Sequence, residues 1–434
     1  MATSQGSFST ATRDKDPYTY QVGFGNSFAS EAIPGTLPIG QNSPQKCKYD
    51  LYAEGINGTP FTVPREQNER TWFYRIRPSV SHDGFSKMQN QNEDIAAEFL
   101  LSNPKMHVTP TQLAWRPLMA PAGSGVNFIQ GLKTMMGNEG RLDIQTELGK
   151  LMVRPGEIAV VQRGIKWKVV LPDGTARGYI QEIFGSHYEL PELGPVGANG
   201  LANVRDFEHP VASFDIDQTP WEVIYKLGGQ LFVCKQDHTP FDVVAWHGNY
   251  VPYKYDTDAF IAIGSVSKDH LDPSIFTVLT AKSKTPGVAL ADFAIFKARW
   301  DVSTNTFRPP YYHRNTCSEV LGLVYGEYGG RSDSFVPGAL SYETGFCPHG
   351  VDAEQFKQGS ERDLVPMRVG ENALMVMFET SMMLAITDYA MKSEGRHEHE
   401  PGMWNALTAN FLKHTEQINS DLKAAGLPTL IVAQ

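Results

Sequence analysis

A run of short apolar segments separated by turn residues, between Leu142 and Gly174, constrains the fold of this chain more than any other feature. The run reads LDIQTELGKLMVRPGEIAVVQRGIKWKVVLPDG, in which GKL and RPGE mark turns. The IAVV and KWKVV segments are apolar or alternate in polarity, a pattern typical of β-strands bounded by Gly and Pro. The order of strand, turn, strand, glycine and strand is that of a small antiparallel barrel or jelly roll. We therefore predict a mainly β fold.

The same pattern returns in the second half of the chain, near residue 260. A chain of 434 residues is long enough for two domains, each with its own core. We predict two jelly-roll or β-barrel domains with a few peripheral helices. The predicted limits are a disordered N-terminus at residues 1–15, an N-terminal β domain at 16–260 and a C-terminal domain at 261–434. The second domain would begin with the strands IAIGSVS (Ile261–Ser267), IFTVLTA (Ile275–Ala281) and VALADFAIF (Val288–Phe296).

Two further segments carry local predictions. The segment WHGNYVPYKYD, Trp246–Asp256, is predicted to be a loop. Near the C-terminus, apolar residues recur close to helical spacing, which predicts an amphipathic helix packed on the second domain. These residues are Met403, Leu407, Phe411, Ile418 and Leu422.

Charge and cysteine content narrow the function classes. The formal net charge is −10 and no long basic block is present, so we expect no nucleic-acid partner. No apolar run approaches the ~20 residues that span a bilayer, and we expect no membrane partner. The N-terminal sequence MATSQGSFSTATRDKDP lacks the apolar core of a signal peptide. Four cysteines in a chain of this length are expected to be reduced thiols, so the prediction is a cytoplasmic enzyme.

The stretch RPPYYHRNTCSEVLG contains His313 and Glu319, which are six residues apart. On one straight strand they would lie about 20 Å apart at ~3.3 Å per residue, too far to share a metal ion. Sharing an ion therefore requires the chain to reverse between them. The intervening RNT favours a turn, so His313 would end one strand and Glu319 would begin the next.

A third ligand is needed, and His349 in FCPHG is the best candidate. It lies 30 residues beyond Glu319, which leaves room for two more strands to return to the same end of a barrel. Two imidazoles and one carboxylate form a facial triad that suits non-haem Fe(II). From the spacing alone the alternative stays open that His313 is a polar strand-end residue and Glu319 is solvated.

Longer stretches of the sequence resemble a known family. The pattern Tyr311-x-His313-x5-Glu319-x6-Gly326 resembles the first cupin motif, with Tyr311 in place of the first of its usual two histidines. The stretch from RPPYYHRNTCSEVLGLVYGEY to CPHG is similar to the homogentisate 1,2-dioxygenases, as are YQVGFGNSFASEAIPGTLPIGQNSPQKCKYDLYAEG, ELPELGPVGANGLANVRDF, PFDVVAWHGNYVPYKYD and DHLDPSIFTVLTAKS. The similarity runs from about residue 16 to beyond residue 400. It implies a cupin-type catalytic domain in the second half of the chain.

The resemblance also implies site residues and an activity. Fe(2+) would be held by His313, Glu319 and His349. His270 would be the catalytic proton acceptor, and Tyr328 and His349 would bind the substrate. The implied reaction converts homogentisate and O2 to maleylacetoacetate by ring cleavage, a step of tyrosine and phenylalanine catabolism. The implied assembly is a homohexamer built as a dimer of trimers.

The N-terminal strand cluster resembles a cupin barrel without metal. The pattern Gly156-x5-Gln162-x-Gly164-x2-Trp167 follows the outline of the second cupin motif. Trp167 stands where that motif has a metal-binding histidine. The N-terminal barrel is therefore expected to serve structure and assembly.

Four other polar residues are candidates for a role in a site. Arg314 and Asn315, beside a predicted ligand, could orient the substrate carboxylate, although Arg314 could equally form a salt bridge within the fold. His397 and His399 form a rival metal pair, but such a pair near a chain end is more often solvated surface.

One position departs from the family pattern. Relatives usually carry a histidine a few residues before the second ligand histidine, and Glu343 stands there in this chain. A glutamate at this position would repel an anionic substrate group. This departure leaves open a paralogous dioxygenase acting on another hydroquinone. A separate alternative is a catalytically inactive bicupin scaffold that has lost its metal.

Overall fold

The computed structural model describes residues 15–40, 45–88, 106–117, 140–174, 176–192, 202–228, 230–262, 273–300, 309–327, 335–398 and 402–430. Within these ranges the chain consists mostly of antiparallel strands, with a few short helices. The predicted mainly β fold is confirmed. No helix in this part of the chain has the length and hydropathy of a membrane span.

The described strands of the first half are short and are numbered β1 to β16. They are β1 (Tyr20–Val22), β2 (Phe28–Glu31), β3 (Tyr52–Asn57), β4 (Arg70–Arg75), β5 (Ser86–Lys87), β6 (Met106–His107), β7 (Leu113–Trp115), β8 (Leu142–Thr146), β9 (Gly149–Val153), β10 (Glu157–Val160), β11 (Trp167–Val170), β12 (Phe207–Pro210), β13 (Trp221–Leu227), β14 (Gln230–Gln236), β15 (Val243–Gly248) and β16 (Tyr253–Asp256).

Among the described residues, the second half contains longer strands and three α-helices. Its strands are β17 (Thr277–Lys282), β18 (Ala289–Trp300), β19 (Tyr312–His313), β20 (Ser318–Tyr325), β21 (Leu340–Glu343), β22 (His349–Gly350), β23 (Arg368–Thr380), β24 (Ile386–Thr387) and β25 (Arg396–Glu398). Its helices are α1 (Ala353–Glu361), α2 (Asp388–Lys392) and α3 (Thr415–Ala424).

The run from Leu142 to Gly174 folds as four strands. The predicted RPGE turn lies between β9 and β10, but GKL, predicted to mark a turn, begins β9, and the chain reverses just before it. Strands β8 and β9 form a hairpin, and β11 pairs with the outer side of β8. Gly156 has a φ of 90°, a left-handed conformation that favours glycine, in the turn where the amide of Glu157 donates to the carbonyl of Arg154 at 2.9 Å. Strand β10 then leaves this sheet and pairs with β16.

The largest sheet among the described residues has seven strands in the order β17-β18-β23-β20-β21-β7-β25. Strand β7 comes from the first half of the chain, and it pairs with both β21 and β25. Strand β6 pairs with β24 of the second half. Backbone pairing therefore crosses the predicted limit between residues 260 and 261, and the predicted domain limits remain a prediction.

The two faces of this sheet bury different residues because side chains alternate along each strand. On one face, Phe293, Ile295 and Val376 pack against Phe207 and Tyr255 of the first half. The opposite face carries a separate apolar cluster, which includes Leu321, Leu323, Phe335, Ala339 and Met375. The residues that alternate with Val320 and Phe378, including Glu319 and Glu379, lie on this second face.

Two local predictions are wrong. The predicted loop Trp246–Asp256 contains the end of β15 and all of β16, because Tyr253 and Tyr255 are buried core residues whose backbone pairs with neighbouring strands. At the C-terminus, the only α-helix near the predicted stretch is α3, which buries no residue, and Phe411 lies before it with 61% of its surface exposed. Apolar spacing gave the type of element but not its limits or its burial.

A buried charge network supports the first half. The guanidinium of Arg75 is 1% exposed, and it donates to Asp242 at 2.7 Å and to Glu147 at 2.9 Å. It also contacts Glu54 at 3.0 Å and donates to the carbonyl of Pro240 at 2.9 Å. Each of these contacts is a charge-assisted hydrogen bond in a largely buried place, so losing an acceptor leaves a buried donor unsatisfied.

Replacement of Asp242 by Asn should destabilise the protein by about 3 kcal/mol, because one carboxylate oxygen accepts from Arg75 and the other from the amide of Arg77, and an amide side chain has a single acceptor oxygen. The free energy of unfolding is measured by urea denaturation. The matched control is Glu222→Gln, which removes one carboxylate of the exposed pair with Lys235 and should cost less than about 1 kcal/mol. Equal effects of the two substitutions would contradict the buried network.

Candidate metal centre

Two imidazoles are brought together by a two-stranded ladder. Strand β19 pairs with β22, with His313 opposite His349 and Tyr312 opposite Gly350. Residues opposite each other in an antiparallel pair project to the same face, and the two imidazole centroids lie 4.2 Å apart. A side chain at Gly350 would meet the ring of Tyr312 at 2.7 Å, so this pairing requires glycine there.

The carboxylate of Glu319 reaches the imidazoles because the chain reverses between β19 and β20. His313 ends β19, and Glu319 is the second residue of β20. In the reversal, the side-chain oxygen of Asn315 accepts a hydrogen bond from the amide of Cys317 at 2.8 Å, which is an Asx turn. The strand end, turn and strand start predicted from the spacing are all present.

The three side chains form one compact group. Nε2 of His313 lies 3.5 Å from Oε1 of Glu319, and Nε2 of His349 lies 3.4 Å from Oε2 of the same carboxylate. One ligand atom from each residue falls within 4.8 Å of the other two. Among the described residues this is the only group of three or more His, Cys, Asp or Glu side chains with such spacing.

The donor set fits a bound cation. Both Nε2 atoms are buried and have no hydrogen-bond partner in the protein. A buried polar atom without a partner is costly, and a divalent ion between the imidazoles and the carboxylate would satisfy both nitrogens. Nδ1 of His349 lies 2.9 Å from the carbonyl of Cys347, so it carries the proton and leaves Nε2 with a lone pair for a metal.

The electrostatics keep Glu319 ionised. Burial alone would raise the pKa of this carboxyl, but the two imidazoles and the amide of Asn315 outweigh it and hold the pKa well below its usual range. Burial lowers the pKa of His349, yet the neighbouring carboxylates of Glu319 and Glu343 and the carbonyl of Cys347 leave it raised. The group therefore presents a permanent negative charge between two imidazoles.

A row of acidic side chains crosses the sheet at the level of Glu319. Glu319 is in register with Glu379 on one side and with Glu343 on the other, and Glu379 is in register with Asp292. Cross-strand partners share a face, so all four carboxyl groups project to the same side of the sheet. Glu343, the acidic residue singled out in the sequence, is buried.

Protonation relieves part of the repulsion in this row. Burial, followed by the charges of Glu319 and Asp292, raises the pKa of Glu379 to about 7. The sequence reasoning missed both Glu379 and Asp292. Both could have been recognised in the sequence, because each is a single acidic residue at an inward position of an otherwise apolar strand, in MVMFET and ALADFAIF.

The remaining sequence candidates are only partly placed. His270, Tyr328 and His399 lie outside the described residues. Arg314 is exposed, and the backbone of His397 lies in β25 opposite Ala114. Asn315 was predicted to orient a substrate carboxylate, but in the structure its side-chain amide donates to Oε1 of Glu319 at 2.7 Å.

Comparisons with known proteins agree over most of the chain. A family model described as homogentisate 1,2-dioxygenase N-terminal matches residues 19–139 and 135–257, and one described as homogentisate 1,2-dioxygenase C-terminal matches residues 258–411. The homogentisate 1,2-dioxygenase of Emericella nidulans is 46% identical over 92% of this chain and 97% of its own length. Those of Caenorhabditis elegans and Homo sapiens are 46% and 44% identical, over 91% and 90% of this chain and 98% and 96% of their own lengths.

The raised pKa of Glu379 predicts a pH-dependent stability difference in protein freed of metal by a chelator. A carboxyl with a raised folded-state pKa contributes stability that is fully present below its unfolded pKa, near 4.5, and is lost as the pH rises through about 7. Glu379→Gln should therefore change stability little at pH 5 and stabilise the protein by about 2 kcal/mol at pH 8. Urea denaturation at both pH values measures this. An equal gain in the free energy of unfolding at both pH values would contradict the raised pKa of Glu379.

Proposed function

Because the chain belongs to the homogentisate 1,2-dioxygenase family, we propose that it is an Fe(II)-dependent enzyme that cleaves the ring of homogentisate with O2 to give maleylacetoacetate. This reaction is a step of tyrosine and phenylalanine catabolism. The observation that carries the proposal is the compact group of His313, Glu319 and His349, with two buried imidazole nitrogens that lack a protein partner.

His313, Glu319 and His349 would hold the iron. Two neutral imidazoles and one carboxylate leave a divalent ion with net charge of about +1 and with open coordination positions. When bound, Fe(II) would supply a redox centre with room for both substrate and O2. The low pKa of Glu319 keeps this ligand ionised, and the bond from His349 to the carbonyl of Cys347 fixes the imidazole in the tautomer that can bind metal.

The substrate chemistry requires a proton acceptor. A phenol with a pKa near ~10 is protonated at neutral pH, and attack on the ring needs the electron density of a phenolate. His270 would take this proton, since an imidazole with a pKa near ~6.5 is suited to general base catalysis. Tyr328 would hold a substrate oxygen, and His349 would contact the bound ring. The match of both local sequences to the family supports these roles for His270 and Tyr328.

The proposal includes an assembly and a compartment. The chain would form a cytoplasmic homohexamer, a dimer of trimers, as the family resemblance implies. The N-terminal β domain would contribute structure and assembly without binding metal. In support, Trp167 lies in β11 opposite Thr146, in the strand where the motif would place a metal-binding histidine.

Replacement of His313 or Glu319 by Ala should reduce bound iron to below about a tenth of the wild-type content, because each change removes one of three ligands. The proteins are loaded anaerobically with Fe(II), desalted and analysed for metal. Circular dichroism should show that both variants remain folded. His238→Ala is a control, since this buried histidine contacts Asp237 and lies outside the group of ligands. Full iron occupancy in either ligand variant would refute the assignment.

Oxygen consumption by the iron-loaded enzyme tests the substrate. Homogentisate should support fast O2 uptake with formation of an absorbing ring-opened product, while gentisate and plain hydroquinone should be poor substrates. Preference for one of the latter would identify a paralogous enzyme. Iron binding without O2 uptake on any of the three compounds would favour a catalytically inactive scaffold.

Glu343→Gln sharpens this test. Glu343 is 2% exposed and its charge acts on His349, so it lies within electrostatic range of the site. A nearby negative charge disfavours an anionic substrate more than a neutral one, by about tenfold for a partly screened pair in a protein interior. The variant should therefore raise the ratio of kcat/KM for homogentisate to that for hydroquinone by about tenfold. The control is Glu361→Gln, an exposed change at the end of α1, which should leave this ratio unchanged. An unchanged ratio in Glu343→Gln would show that the charge of Glu343 does not act on the substrate.

A further inference from the structure

Asn315 makes three hydrogen bonds that converge on the candidate ligands. Its side-chain amide donates to Oε1 of Glu319 at 2.7 Å, and its side-chain oxygen accepts from the amide of Cys317 at 2.8 Å. Its backbone carbonyl accepts from the amide of Phe346 at 2.7 Å. We propose that Asn315 is a positioning residue, which sets the orientation of the Glu319 carboxylate and holds the loop that carries the third ligand. This inference rests on the proposed metal site.

The carboxylate of Glu319 needs such a partner because its terminal torsion is soft. Rotation about the last bond of a glutamate side chain has broad, shallow minima. In the structure Oε1 faces Nε2 of His313 and Oε2 faces Nε2 of His349. A charge-assisted bond of 2.7 Å from Asn315 to Oε1 opposes that rotation and holds Oε2 towards His349.

The same residue controls the approach of the third ligand. Phe346 has a φ of 63°, a conformation that is unfavourable for a bulky residue, and its amide donates to the backbone carbonyl of Asn315. The turn continues with the amide of Cys347 donating to the carbonyl of Thr344 at 3.1 Å. The carbonyl of Cys347 then accepts the bond that fixes the tautomer of His349. One continuous hydrogen-bonded path therefore joins Glu319, Asn315, the Phe346 turn and His349.

The chemistry of the amide explains why Asn is suited to this position. An amide offers both a donor and an acceptor, whereas a carboxylate offers acceptors alone. Asp at position 315 could keep the bond from the amide of Cys317, and therefore the turn. It could not donate to Glu319, and it would add a like charge beside that carboxylate. Asp and Ala substitutions at this position thus separate the turn-forming bond from the bond that orients the ligand.

The experiment measures Co(II) affinity, by absorption titration of protein freed of metal, for wild type, Asn315→Ala, Asn315→Asp, Thr316→Ala and Glu319→Ala. We expect both Asn315 variants to bind Co(II) about 10- to 100-fold more weakly than wild type, the usual cost of losing a partner of a metal ligand. Their visible Co(II) spectra at saturation should also differ from the wild-type spectrum. Thr316→Ala, an exposed change one residue away, should match wild type. Circular dichroism should show that the metal-free Asn315→Asp variant remains folded.

The outcomes distinguish this inference from the proposed function. Failure of wild type to bind Co(II), or wild-type affinity in Glu319→Ala, would overturn the metal site and the inference together. Weak binding by Glu319→Ala with wild-type affinity and spectrum in Asn315→Asp would overturn the inference alone, because the turn-forming half of the amide would then be sufficient. A drop in affinity for Asn315→Ala only, with Asn315→Asp normal, would likewise assign Asn315 to the turn.

Discussion

Backbone register determines where every candidate ligand lies. The β19–β22 ladder is two residues long on each strand, and it places His313 directly opposite His349. The β20 ladders to β21 and β23 place Glu319 opposite Glu343 and Glu379. Because side chains alternate with a period of two, a shift of one residue in either ladder would turn a ligand to the opposite face of its strand. The site therefore depends on pairing contacts made by backbone atoms. In the β19–β22 ladder, Gly350 lies against the ring of Tyr312, which a side chain at this position would meet at 2.7 Å.

The same register creates the main electrostatic cost of the site. Like charges directly opposite in a sheet are destabilising, and this sheet aligns Asp292, Glu379, Glu319 and Glu343 across neighbouring strands. The carboxyl groups in this row differ in how their repulsion is relieved. Glu319 keeps its charge because two imidazoles and the Asn315 amide surround it, while Glu379 takes up a proton at a pH near 7. A divalent cation at the triad would further stabilise the ionised Glu319, so metal binding and the protonation of this row are coupled.

The sequence predicted the elements whose signals are local. Turn residues marked the breaks between β9, β10 and β11, and the reversal between His313 and Glu319 followed from the distance that a straight strand would impose. The cross-strand neighbours of Glu319 could not be predicted from the sequence, because the register between β20, β21 and β23 is set by long-range pairing. Asn315 illustrates the difference. Its position beside a ligand suggested a substrate contact, whereas the folded chain turns its amide onto Glu319. Tyr253 and Tyr255 were assigned to a loop because nearby Gly, Asn and Pro residues concealed a buried strand.

Residues of the first half of the chain help to hold the strands of the candidate metal centre in place. Strand β7 pairs with β21, the strand that ends at Glu343, so residues near position 114 help to fix the register beside the site. On the other face of the sheet, the ring of Tyr179 occupies the space above Gly322, where an added side chain would meet it at 2.5 Å. Its hydroxyl lies 2.8 Å from the carbonyl of Ala339 and 3.0 Å from that of Leu323, which joins β20 to the start of β21. Because these contacts brace the strands on which Glu319 and Glu343 lie, damage to the first half of the chain should also disturb the candidate metal site in the second half.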